Sequence, residues 1–158
     1  MATLHAVPYS HQSGFKPDAI HWQRLLGDAN FDYPIDYWLA VLGGDVTAGR
    51  VDFLIKWEAN AYCHFHRHTG ATTTLVLEGE HDVIDTRADG EVHKVRKAGD
   101  FVRNDGGDVH MEYGGPQGAV VLFSMQADDG RLFEILGRDM SVLGTVTVAD
   151  LLNGRILS

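Results

Sequence analysis

Polar and apolar residues alternate most cleanly between Arg50 and Glu58, where Val51, Phe53, Ile55 and Trp57 fall on one side and Asp52, Lys56 and Glu58 on the other. A period of two marks an extended strand with one buried face, and Leu54 alone breaks it. Upstream, Tyr37 to Leu42 is a short apolar strand predicted to stop at Gly43-Gly44, and a turn over Asp45 to Gly49 joins the two as a hairpin. Downstream, strands are predicted over Thr72 to Leu77, Val83 to Thr86, Val92 to Lys97, Asp100 to Arg103, Val109 to Tyr113, Ala119 to Met125 and Leu132 to Leu136. Turns are predicted at Glu78-Gly79-Glu80, Asp89-Gly90, Ala98-Gly99, Asp105 to Asp108, Gly114-Gly115-Pro116 and Asp128 to Gly130. Asp18 to Leu26 fits a strand better than a short helix. Thr147 is placed to cap a short helix through Leu152 that ends at Gly154. Asn60 tolerates positive φ and suits the tight corner before the next strand. Many short strands with no long helical pattern predict an all-β sandwich or barrel, a single domain over 1–158 with a polar arm at 1–15.

Composition narrows the possibilities. The 158 residues are enough to bury a core, and 13 basic against 22 acidic residues leave a net charge of -9. Such a chain repels phosphate backbones and anionic lipid, so nucleic acid and membrane surfaces are poor partners. No apolar run is long enough to span a bilayer, and the N-terminus lacks the pattern of a secretory signal. The single cysteine, Cys63, excludes an internal disulfide, fits a reducing cytoplasm, and reads as a buried apolar filler.

The chemistry concentrates in Asn60 to Gly79. His64, His66 and His68 occupy every second position, so on an extended strand the three rings leave from one face. Two imidazoles from one strand form a ready pair of metal ligands, and His110 is the candidate third. Alternation alone leaves open whether the pair is His64 with His66 or His66 with His68. Glu112, two positions past His110, shares its face and could reach the same ion, although a glutamate is more often solvated. Thr72 could orient a bound water or simply pack in the core. Trp57, Phe53, Tyr62, Tyr113, Phe123 and Phe133 could line an apolar pocket or fill an ordinary core. His5, His11, His21, His81 and His93 have no partner visible in the sequence.

Two segments resemble the paired motifs of the cupin superfamily. The first, Gly-x5-His-x-His-x3-Glu-x6-Gly, is matched by Asn60, His66, His68, Thr72 and Gly79; the second, Gly-x5-Pro-x-Gly-x2-His-x3-Asn, by Gly99, Asp105, Gly107, His110 and Gly114. The spacing holds throughout, and the resemblance implies a double-stranded β-helix, an RmlC-like jelly-roll barrel. It implies His66, His68 and His110 as metal ligands; His64, Thr72 and Glu112 are candidates for supporting positions from the strand alternation and their side-chain chemistry alone. Thr72 stands where most cupins place a metal-binding glutamate. A cupin that lacks this residue and keeps three histidines resembles the acetylacetone-cleaving and 2,4'-dihydroxyacetophenone dioxygenases.

That resemblance implies an enzyme that binds non-haem Fe(II), with Zn or Ni as alternatives, and that uses O2 to cleave a C–C bond of a small β-diketone or hydroxyketone. Three neutral ligands leave the full dipositive charge on the ion and favour an anionic substrate with two oxygen donors. The resemblance also implies a homodimer. Two other expectations come from different classes: a zinc-binding cupin module that binds without turnover, and a metal-free epimerase-type cupin with a histidine base.

Overall fold

The computed structural model describes residues 19–155. Ten strands and one helix follow in order: β1 (Gln23–Leu26), β2 (Asp36–Asp45), β3 (Arg50–Trp57), β4 (His66–His68), β5 (Ala71–Arg87), β6 (Gly90–Lys97), β7 (Phe101–Asn104), β8 (Val109–Gln126), β9 (Arg131–Leu136), β10 (Val142–Thr147) and α1 (Val148–Leu152). The strand path is β1-β2-β3-β8-β4-β9-β10, with β5 paired to β6, β7 and β8, and every ladder between named strands is antiparallel. This is a curled antiparallel jelly-roll sheet with a small C-terminal helix, as predicted. The predicted arm at 1–15 lies outside the described residues. Among the described residues, no helix is long and apolar enough to cross a membrane.

The alternation of β3 turns Val51, Phe53, Ile55 and Trp57 into the barrel, where Phe53 stacks on Phe123 at 5.4 Å and meets Phe133 edge-on at 6.1 Å. Leu54 breaks the pattern because the outer face is covered too: it is buried opposite Ala40 of β2 and Leu122 of β8. Asn60 takes the predicted positive φ, 58°. The helix is capped as expected. Thr147 accepts a hydrogen bond from the Asp150 amide, and the Asp150 carboxylate accepts one from the Thr147 amide.

Three predicted breaks are not breaks. The strand expected to stop at Gly43-Gly44 runs on to Asp45, absorbing a register shift between Val41 and Gly43. The turn expected at Glu78-Gly79-Glu80 is a corner inside β5, with register shifts at Val76/Glu78 and Gly79/His81. The break expected at Gly114-Gly115-Pro116 lies inside β8. A long strand that bends at a bulge passes from one side of a barrel to the other without ending. Gly79 is what permits it: at φ 71° a Cβ would sit 2.1 Å from the Gly118 carbonyl oxygen. The strand β10 was not predicted. It is mostly exposed and carries two register shifts against β9, so it shows no alternation to read.

The corner in β5 reverses which residues face inward. Before it Thr72, Thr74 and Val76 are buried; after it His81, Val83 and Asp85 are, opposite Gly114, Glu112 and His110 of β8.

Candidate metal centre

The short β4 is held on both sides, by β8 and by β9, and its His66 lies directly across the ladder from His110. His66 and His68 share the inner face, while Arg67 turns outward to an ion pair with Glu134 at 2.6 Å. The Nε2 atoms of the three buried rings form a triangle: 3.1 Å from His66 to His68, 3.1 Å from His66 to His110 and 2.9 Å from His68 to His110.

Each ring is oriented through its other nitrogen. His66 Nδ1–H donates to the His64 carbonyl oxygen at 2.7 Å, and His68 Nδ1–H to the Thr72 hydroxyl at 2.7 Å; His110 Nδ1 faces the Asp85 carboxylate at 3.4 Å. With the proton on Nδ1, all three Nε2 lone pairs point into the triangle. Lone pairs at that separation repel unless a cation lies between them. Imidazole nitrogens bound to one first-row ion at about 2.1 Å lie ~3.0 Å apart at right angles and ~3.4 Å apart at the tetrahedral angle. The observed sides, 2.9–3.1 Å, are those of nitrogens that would share one ion.

Burial, and then the neighbouring His110, lower the pKa of His66 to about 4; burial and His66 hold His68 well below its ordinary value. Both rings are therefore neutral near pH 7, as a ligand must be. Asp85 is held well below the usual carboxylate range by His110 and by Lys94, which ion-pairs with it.

Glu112 joins these rings. It is buried, its Oε2 lies 3.5 Å from His66 Nε2, and one ligand atom from each of His66, His68, His110 and Glu112 falls within 4.8 Å of the others. These four residues could hold a metal ion. Burial alone would raise the Glu112 pKa, but His110, His81 and His66 hold it well below the ordinary value, so it is a carboxylate. The expectation of a solvated glutamate is corrected: two positions past His110 on the same strand, it shares that residue's inward direction.

Other sequence expectations are placed as follows. His64 is outside the cluster; its Nδ1 is 2.9 Å from the Tyr37 hydroxyl and its ring packs edge-on against Phe31. Thr72 holds His68 rather than filling the core passively. Cys63 is buried, its thiol pKa pushed well up by burial. Phe53, Trp57, Phe123 and Phe133 line an apolar cavity of about 50 Å³ whose wall also includes His66, His68, Glu112 and Leu151 of α1. Tyr62 and Tyr113 do not line it; they pack against each other at 4.9 Å. Of the histidines without a visible partner, His93 meets Asp82 at 2.7 Å, and His81 is wholly buried beside Glu112. Asp85 and His81 were missed by sequence reasoning, since only the β5–β8 register brings them to the cluster.

A barrel of this topology, with imidazoles from two distant strands gathered inside it, defines a cupin. Within that class, the chain belongs to the family described as the ChrR cupin-like domain, whose model matches residues 12–128. Among solved structures, the chain is similar to a candidate acetylacetone dioxygenase from Methylibium petroleiphilum PM1, at 16% identity and TM-score 0.68, covering 92% of this chain and 95% of that one. It is similar to an acetylacetone dioxygenase from Acinetobacter johnsonii, at 10% identity and TM-score 0.66, covering 92% and 91%. An RmlC-like cupin protein from Ralstonia eutropha matches at 14% identity and TM-score 0.67, covering 90% and 83%. At these identities the likeness establishes the fold. A search of curated proteins gives no significant match.

Proposed function

We propose that this protein is a metal-dependent cupin dioxygenase that uses O2 to cleave a C–C bond of a small β-diketone or hydroxyketone, with His66, His68 and His110 as its metal ligands. The observation that carries this reading is the Nε2 triangle, 2.9–3.1 Å on a side, two of whose rings, His66 and His68, lie in the wall of an apolar cavity. Iron(II) held by these three rings would supply a Lewis acid for the substrate and an electron source for O2. The chain's own residues do the rest. His64, Thr72 and Asp85 fix the three rings. Phe53, Phe123 and Phe133 exclude water and restrict the cavity to small, largely apolar molecules.

Glu112 changes the charge argument. An all-neutral donor set would leave two positive charges for the substrate to offset. With the Glu112 carboxylate present, a singly deprotonated diketone brings the buried assembly to neutrality, which a low-dielectric interior favours.

A second reading, a metal-binding cupin without turnover, is favoured by one observation: with Glu112 the protein offers four donors, the number that closes a structural zinc site. Reconstitution separates the two. Iron-loaded protein should develop a charge-transfer band on anaerobic addition of acetylacetone and consume oxygen in step with its loss. Tight zinc binding, with neither band nor oxygen uptake across a panel of diketones and hydroxyketones, would establish the second reading instead. Turnover by metal-free protein would point to the epimerase class.

A further inference from the structure

We propose that His81 is a positioning residue that aims Glu112 at the three-histidine face, so that the carboxylate missing from the first cupin motif is supplied by β8. This rests on the metal-site reading above and concerns ligand geometry, not the reaction.

The Glu112 carboxylate is buried, and its two oxygens have different surroundings. His81 Nε2–H donates to Oε1 at 2.9 Å. Oε2 lies 3.5 Å from His66 Nε2, too long for a good hydrogen bond and suited to two donors that share a cation, while His110 Nε2 comes to 3.8 Å of Oε1. A carboxylate tied at one oxygen has lost most of its freedom to rotate, so His81 fixes the direction of the other.

His81 is built for such a task. It is 0% exposed, its ring lies parallel to the Trp57 indole at 5.1 Å with 16° between planes, and Phe123 meets it edge-on at 6.0 Å. Those two walls leave the imidazole no room to swing. Its Nδ1 is buried and has no hydrogen-bond partner among the described residues. An unpartnered acceptor is cheaper to bury than an unpartnered N–H, which favours the tautomer that directs Nε2–H at Glu112.

The backbone explains how His81 arrives there. With uninterrupted alternation from Thr72, Thr74 and Val76, the inward residues after the corner would be Glu80, Asp82 and Ile84. The register shifts at the corner, which begin with one extra residue on β5 between Val76 and Glu78 and continue between Gly79 and His81, together reverse the parity and turn His81 inward, two residues along the strand from Val83, which pairs with Glu112. The position that would carry a ligand glutamate in the first motif holds Thr72, whose hydroxyl is committed to His68. The negative charge has thus moved to another strand, and His81 is the residue that makes the new location usable.

The test uses cobalt(II), whose visible spectrum reports coordination without turnover, and competition with a chromogenic chelator for cobalt(II) and zinc(II). Glu112→Gln should change the cobalt spectrum and weaken binding by about 10- to 100-fold. His81→Phe keeps the stacked ring, removes the N–H, and should change the spectrum in the same sense. The double variant should bind no more weakly than Glu112→Gln alone. His81→Gln, whose amide N–H reaches about as far as Nε2, should restore affinity to within about threefold. If His81→Phe does not fold, His81→Asn, too short to reach Glu112, replaces it. An unchanged cobalt spectrum in Glu112→Gln overturns the proposal. So does wild-type affinity and spectrum in the His81 variant that removes the bond. Neither result depends on whether any diketone is a substrate.

Discussion

The two halves of β5 belong to one strand and do different work. Ala71 to Leu77 is an ordinary half-buried strand whose inward residues, Thr72, Thr74 and Val76, are small, with Thr72 alone touching a candidate ligand. His81 to Arg87, past the corner, sends His81 and Asp85 inward to a glutamate and a histidine of β8. The first half builds the core and the second builds the polar support of the metal centre. The register shifts at the corner separate the two roles, because their net effect decides which of two neighbouring residues faces in. A site can therefore acquire a set of polar supports from a change in backbone parity, without a new strand.

The most severe way to break this contrast is at the corner. Gly79→Ala forces a Cβ within 2.1 Å of the Gly118 carbonyl oxygen at φ 71°. It should destabilise the protein by about 3 kcal/mol or more and lower Tm by roughly 6–12 °C, with loss of metal affinity from the second half of β5. A Tm within 2 °C of the parent in a thermal scan would show that the corner does not need glycine. Val76→Ala, in the first half, should cost about 2 kcal/mol in a urea titration, through the cavity it leaves, and spare zinc affinity. Asp85→Asn, in the second half, should do the reverse: about tenfold weaker zinc binding by chelator competition, with a smaller effect on stability. If these two variants shifted both quantities alike, the division of labour would be wrong. Thr72→Val lies between the halves in function and should weaken zinc binding by a few-fold up to about tenfold, through the lost acceptor for His68 Nδ1. Arg67→Ala, on the outer face of β4, should cost at most about 1 kcal/mol and leave metal binding intact, since its partner Glu134 is near the surface.

The same contrast explains what could be read in the sequence. Regular alternation predicted β3 and its inward aromatics, and motif spacing predicted His66, His68 and His110, whose Nε2 atoms converge. Alternation also placed Glu112 beside His110, but the general preference of glutamate for solvent outweighed it. His81 and Asp85 were not legible, because a bulge cancels the period-two rule and their partners are set by pairing with a strand some thirty residues away in sequence. The corners of β5 and β8 looked like turns for a related reason: glycine, proline and charged residues serve a bent strand and a reversal equally well. His64 fitted the alternation, yet the regular strand begins only at His66, and its side chain pairs with Tyr37 instead.

The end of the chain has a consequence of its own. The cavity wall includes Leu151, carried on a helix of five residues that is fastened by the Thr147–Asp150 cap rather than woven into the sheet. A shorter side chain there would deepen the chamber while leaving every strand and imidazole in place. The scaffold thus lets a residue outside the His66, His68, His110 and Glu112 cluster set the size of what the cavity can admit.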